Sequence, residues 1–427
     1  MYQKSSQANL ILKQFSLLCQ QGFQGLKHNQ FRFAIYILLP LLGAFLYFLT
    51  VMRFGRFVFD YHQGNAPGAV SNLFLLCIFV LVVGTLTHTR FNAFDGASLQ
   101  KERPNGVGLG TYLIFKVVTT GLLAFYQAAL FTILFYVAVE IPGGFEERML
   151  VLFSLWAGSF TAIMLGMAVS ALYPSPTSAL WTTCLLIFTT IFLSNVPILL
   201  PSPFPLVSST YWTFRNLSAI SGIGADIARD DCWLFPPELR QEMTLEDKTN
   251  LECNCMGMKL FAVNSCEFPG IGDFYSTALD APRPTEPYPP GNPPAEPFLP
   301  EAPAPPSNPG DKKAQSRYQQ AQEEYQIQVS KIQNDFQLQV VSYKLRAELY
   351  RSQTESYQYE LDNWITQREH AVSEAEASIA IMISRFGWSF VNKDDFQAYR
   401  SFLMESFTAQ GVINLLLIGI LWLSYKR

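Results

Sequence analysis

Between Arg148 and Arg215 the chain carries no Asp, Glu, Lys or Arg. An uncharged tract of that length does not suit the surface of a soluble domain, which is where charged side chains collect. It does suit lipid: a hydrocarbon core about 30 Å thick takes roughly 20 apolar residues of helix, with every backbone group bonded inside the segment. Tyr173-Pro-Ser-Pro-Thr-Ser178 divides the tract, so two spans joined by a tight turn are predicted. Three earlier blocks have the same character: Phe33 to Met52, Ser71 to Thr89, and Tyr112 to Val139, whose one charge, Lys116, lies close enough to the start to reach the interface. A last block, from about Phe407 to Tyr425, stops at Lys426-Arg427. The prediction is an all-α polytopic membrane protein with six transmembrane helices. Composition agrees, since 49% of the 427 residues are hydrophobic and 15% charged, against about 25% charged in soluble domains. A formal net charge of -4 gives no reason to expect a nucleic-acid partner.

Basic residues in short flanks set the orientation. With the N-terminus inside, the inner flanks hold Lys4, Lys13, Lys27, Arg32, Arg90, Lys101, Arg103, Lys426 and Arg427, and the short outer loops hold Arg53, Arg56 and Arg148. Both termini are therefore expected in the cytoplasm, the protein sitting in the cell (inner or plasma) membrane. The first span lacks a small-residue cleavage site, so it is not read as a removable signal peptide. Ahead of it, in residues 1–32, Ile11, Phe15, Leu18 and Gly22 recur at helical spacing, as in a cytoplasmic amphipathic helix lying on the membrane. Residues 33–200 are assigned to spans one to five.

A large non-cytoplasmic insertion follows. Residues 201–280 contain Cys232, Cys253, Cys255 and Cys266, an even number in a compartment that permits disulfides. Their pairing is open at this level. Cys253-Asn-Cys255 lacks the C-x₂-C spacing of a metal site, and no His lies in the cluster. Residues 281–310 hold thirteen of the chain's 26 prolines and are predicted to form an extended polyproline linker. From 311 to 385 there is neither Pro nor Gly; Tyr325, Val329, Ile332, Phe336, Val340 and Tyr343 form the seam of a coiled coil, either one rod or a hairpin. Residues 386–406 return the chain to the membrane, Ala377 to Phe390 being apolar but too short to span, and 407–427 form the sixth helix with a short cytoplasmic tail.

Enzymatic signatures are missing: there is no G-x-x-x-x-G-K-[ST], G-x-S-x-G or H-E-x-x-H, and His28, His62, His88 and His370 are scattered. Lys116 is the one charge inside a span, so proton-coupled pumping has no carboxylate to work with. Polar groups at membrane depth that would suit a pathway are Gln127 in the third span and Thr189, Thr190 and Asn195 in the fifth. The alternative for these is helix-backbone bonding and helix–helix contact.

The inner loop between spans two and three carries the most information. Asp95, Lys101-Glu102-Arg103, Tyr112 and Lys116 stand there in order, Ile141-Pro-Gly-Gly144 follows span three, and Ser221-Gly-Ile-Gly224, Asp231-Cys-Trp233 and Cys253-Asn-Cys-Met-Gly257 lie downstream. These motifs resemble type-2 ABC exporter permeases of the White (G) subfamily, most closely cyanobacterial members, over residues 8 to 275 and the last span. The resemblance implies a permease that binds no cofactor itself, with ATP on a separate ABC nucleotide-binding subunit, and the mostly apolar, uncharged pathway suits a lipid-like or amphipathic substrate. It also implies a homodimer or heterodimer of six-helix units, spans two and five lining the pathway, and Asp95, Lys101, Glu102 and Arg103 in an ATPase-coupling loop. The long insertion favours a different function, a non-transporting membrane anchor or adaptor whose coiled-coil arm meets an extracytoplasmic partner.

Overall fold

The computed structural model describes residues 13–20, 30–53, 55–89, 108–141, 143–173, 175–307 and 312–426. All regular structure among them is helical. The chain divides into two compact units, one made of residues 1–275 with 371–427 and the other of 276–370.

In the first unit, five helices are long and apolar enough to cross a membrane: α2 (Gln30–Val51), α3 (Ala66–Thr89), α4 (Leu109–Ala138), α5 (Phe145–Leu172) and α12 (Phe396–Lys426). α3 and α5 are the central pair, with 61% and 56% of their apolar windows buried, against 22% for α12. Small residues let them approach: a Cβ at Gly84 would meet Ala162, and one at Gly166 would strike the Thr85 carbonyl. Asn65 caps α3 by accepting from Gly68 N (3.0 Å), and Glu146 and Glu147 sit in the first turn of α5, where the helix dipole favours negative charge. At the other end, α1 (residues 13–20) seats Leu18 in a cluster with Tyr112, Met164, Met167, Leu421 and Tyr425.

The fifth expected span differs from its sequence assignment. α6 (Pro176–Phe192), capped by Ser175 with Pro176 in its first turn, has 17 residues, about 25 Å of helix against a core of about 30 Å. It ends before Asn195, whose φ of 65° is left-handed, and the prolines at 197, 201, 203 and 205 keep the helix from resuming. The chain then turns into α7 (Ser209–Ser221), which is buried along most of its length and packs on α5, α12 and α3. Residues assigned to an outer loop thus include a helix of the bundle. The last helix also begins earlier than expected, at Phe396.

Beyond α7, Gly222 and Gly224 take φ values of 81° and 73°. A side chain at Gly224 would strike the Phe390 ring, so this turn needs glycine twice over. The short helices α8 (Ala225–Arg229), α9 (Pro237–Glu242) and α10 (Leu245–Asn250) follow.

The second unit pairs a polyproline strand with a helix. α11 (Lys312–Phe386) is one continuous helix of 75 residues, and its part up to His370 belongs to this unit. The seam residues Tyr325, Val329, Ile332, Phe336, Val340 and Tyr343 are half-buried, and so is every third residue of the proline segment, from Pro284 to Pro290 and from Pro294 to Pro306. The single slip in that three-residue period falls at Gly291, whose φ is 83°. The lengths agree: Pro284 to Pro306 covers about 68 Å at 3.1 Å per residue, and Tyr318 to Trp364 about 69 Å at 1.5 Å. The Trp364 indole donates to Ala281 O (2.8 Å), and the buried Arg368 guanidinium donates to the Leu279 and Ala281 carbonyls. The seam expected to meet another helix therefore meets the chain's own prolines, whose rings offer a continuous apolar edge to a row of aromatics.

Candidate functional site

Lys101, Glu102, Arg103 and Asp95 lie outside the described residues. What is described is how the chain enters and leaves that loop. On the entering side, the Thr89 hydroxyl pairs with Thr183 Oγ1 of α6 (3.0 Å), and Ser170 Oγ of α5 donates to Thr89 O (2.8 Å). The His88 ring lies against Tyr36 of α2. On the leaving side, Thr111 donates to Gln14 of α1 (3.3 Å), and Tyr112 is buried edge-on to Tyr425 of α12, with the Lys116 ammonium over its ring. Each end of the loop is thus hydrogen-bonded to helices other than its own.

Gln127 is fully buried and donates Nε2 to Val80 O (2.9 Å), joining α4 to α3. Thr189 and Thr190 donate to Leu185 O and Leu186 O of their own helix. Asn195 accepts Leu200 N (2.7 Å) and shapes the turn after α6. Thr189, Thr190 and Asn195 thus lie on α6 and the turn after it, and Gln127 lies between α4 and α3.

A polar interface that the sequence reading passed over lies between α7, α5 and α12. Gln410 of α12 donates to Thr213 Oγ1 (2.9 Å), while Thr213 itself donates to Ser209 O. Thr213 fits only because position 158, opposite it on α5, is glycine. Ser208 Oγ donates to Thr190 O (2.8 Å), tying the start of α7 back to α6. The Arg215 guanidinium pairs with Glu405 (2.8 Å) and stacks on Phe402. Asn216, fully buried on α7, has no partner for either amide atom, and the Ser154 hydroxyl has none. The available signal was Gln410 and Asn414, two amides one helical turn apart in an otherwise apolar segment.

The segment after α7 is held by Asp230. Its buried carboxylate accepts from Cys232 N (3.0 Å), Asn254 N (3.0 Å) and Cys255 N (2.7 Å). Around it the cysteines pair as Cys232–Cys253 and Cys255–Cys266. Ligand atoms of Asp230, Cys232 and Cys253 lie within 4.8 Å of one another, but these sulfurs are bonded to each other and offer no thiolate. Lys248 and Glu376 form a largely buried ion pair (2.7 Å), and Glu376 also accepts Gly257 N, which fixes this segment to the last turns of α11. There Ile379, Met382 and Phe386 are core residues, so one face of the apolar stretch 377–390 is buried in protein, while Ile381 on the other face is exposed. Arg229 pairs with Asp394 (2.7 Å), whose hydrogen bond raises the affinity of the guanidinium for its proton. Burial lowers that of Lys393.

Residues 13–214 match the family model described as ABC-2 type transporter. The match runs from α1 into α7, so it takes in α2 to α6 and the loop entrances at Thr89 and Thr111. It supports a permease of an ABC type-2 transporter and, with the five long apolar helices, a multi-pass membrane protein. Permease domains of this kind usually pair with an ABC ATPase subunit and dimerise. No curated protein matches the chain.

Proposed function

We propose that this chain is the permease subunit of an ABC type-2 exporter of the White (G) kind, closest to cyanobacterial members, and that it moves a lipid-like or amphipathic substrate. The observation that carries this reading is the family match over the helices whose inner ends are cross-tied around residues 90–107. In this reading ATP is hydrolysed on an ABC nucleotide-binding subunit. Both termini are cytoplasmic, and α6 with the turn after it serves as the fifth of six spans. Two such six-helix units, identical or different, flank the pathway.

In this mechanism Lys101, Glu102 and Arg103 meet the ATPase, with Asp95 in the same loop, and closure of the motor displaces the loop as a body. The Thr89–Thr183 and Ser170–Thr89 bonds pass that displacement to α6 and α5. Trp181, Leu185 and Phe188 of α6 are exposed, as an apolar pathway wall needs, and Thr189 and Thr190 add hydroxyl oxygens to that wall. Asn195 stands at its outer turn, and Gln127 holds the α3–α4 pair rigid behind it. A second reading, an anchor or adaptor with an extracytoplasmic partner, is favoured by the exposed apolar stripe of Leu338, Val341, Leu345 and Leu349 on α11.

Co-purification separates the two. The exporter reading expects a stoichiometric ATPase whose hydrolysis drives lipid movement in vesicles; capture of outer-side proteins alone, with no ATPase, overturns it.

A further inference from the structure

We infer that the cavity between the start of α5, the end of α7 and the chain ahead of α12 binds the zwitterionic head of an ethanolamine phospholipid, with Lys393 on the phosphate and Glu267 on the primary ammonium. The cavity forms where three helices stop side by side: Gly143 lies just ahead of α5, Gly222 caps α7, and Lys393 precedes Phe396, the first residue of α12. All of it belongs to the first unit. The ends of membrane spans lie at the level of lipid headgroups, so a lipid head can enter it. Its volume is about 250 Å³, below the range of roughly 300–1,000 Å³ for drug-sized ligands. That space suits a headgroup whose acyl chains stay outside.

Charge decides what the head must carry. Lys393 is half-buried, and its ammonium donates to Ile220 O (3.0 Å). A Cβ at Gly222 would lie 3.7 Å from Lys393 Nζ, so the ammonium sits over a glycine of the cavity wall. No carboxylate among the described residues forms an ion pair with it. The Glu147 carboxylate acts on it from further away and accepts Gly144 N (2.7 Å). A part-buried charge without a counter-ion is costly, and an ammonium has more N–H groups than the one that Ile220 takes. On the acidic side, Arg229 pairs with both Asp226 (3.1 Å) and Asp394 (2.7 Å). Glu267, exposed at the cavity, is the one lining carboxylate without an ion pair among the described residues. The wall therefore offers one uncompensated cation and one uncompensated anion. A head that carries both charges satisfies both. A primary ammonium also has N–H groups to give Glu267, whereas a quaternary one takes a cage of aromatic rings, and Phe59 is the single ring in the lining. The site is complete on one copy of the chain and does not rest on the transport reading.

The test uses the full chain reconstituted with equal amounts of phosphatidylethanolamine, phosphatidylcholine and phosphatidylglycerol, the lipids it retains on release being counted by native mass spectrometry. Phosphatidylethanolamine should be retained about tenfold more than phosphatidylcholine, the fold-change of one hydrogen bond to a charged group. Glu267→Gln, at an exposed position, should erase that preference. Lys393→Gln should lower retention of both lipids, because both heads carry the phosphate. Free O-phosphoethanolamine should compete poorly, since it lacks the acyl chains that hold the lipid at the cavity; competition at the lipid's own concentration overturns the lipid as the source of the zwitterion. Equal retention of the ethanolamine and choline lipids, or a preference unchanged in Glu267→Gln, overturns the inference by showing ordinary boundary lipid. Retention of phosphatidylglycerol above phosphatidylethanolamine overturns it by showing a plain anion site at Lys393.

Discussion

At Asp230 one side chain organises two disulfides. Its carboxylate takes three backbone N–H groups from both disulfide-bearing strands of the chain. Asp230→Ala leaves those donors buried and unpaired and should cost about 3 kcal/mol or more, since hydrogen bonds to a charged acceptor are worth about 1.5–3 kcal/mol each. Thermal unfolding measures the loss, and peptide mapping should find scrambled pairs among the four cysteines. Asp60 offers a pH test. Its carboxyl is held below the usual range by the backbone N–H groups of Gln63 and His62. A group depressed in the folded state stabilises above its unfolded value, near 4, and that contribution disappears as pH falls through the lower folded value. Hydrogen exchange at residues 60–65 should therefore accelerate below about pH 4, and Asp60→Asn should remove that acid response. The cysteines were legible as a disulfide set from composition and compartment. Asp230 was not, because an acidic residue gives no sequence sign that backbone amides will converge on it.

Among the elements, the polyproline segment and α11 show where reading by single segments runs out. Each was legible as a local conformation: the prolines exclude helix and sheet, and the Pro-free, Gly-free stretch favours a long helix. Their pairing depends on two periods in separate segments, three for the prolines and seven for Tyr343, Tyr350, Tyr357 and Trp364. Trp364→Ala removes the anchor on Ala281 and should cost this unit about 2 kcal/mol or more, seen as faster proteolysis between 281 and 307 with the bundle unaffected. In the bundle, Gly166→Val drives a side chain into the Thr85 carbonyl. It should lower the yield of folded protein in detergent far more than Gly411→Leu, which meets open space. The long spans were legible from charge alone. α7 was missed because its polar residues, among them Thr213 bonded to Gln410 and to its own backbone, are buried inside the bundle, which makes it look like loop in sequence.

For the whole molecule, the uncharged tracts limit the chain to a helical membrane protein, and the match over residues 13–214 supports a permease of an ABC type-2 transporter. The spaced motifs between spans two and three carried the same reading from sequence, because charged residues at set spacings stand out beside spans that reduce to apolar composition. The central claim is that ATP-driven closure enters through Glu102 and its neighbours and travels by the bonds at Thr89 and Thr111. Charge reversal, Glu102→Arg, in the complex reconstituted with its ATPase, tests it most directly, with ATP hydrolysis and lipid movement measured on the same vesicles. The account predicts that hydrolysis continues while transport per ATP falls at least tenfold, about the effect of losing 1.4 kcal/mol of coupling; transport per ATP equal to that of the unaltered protein would contradict it.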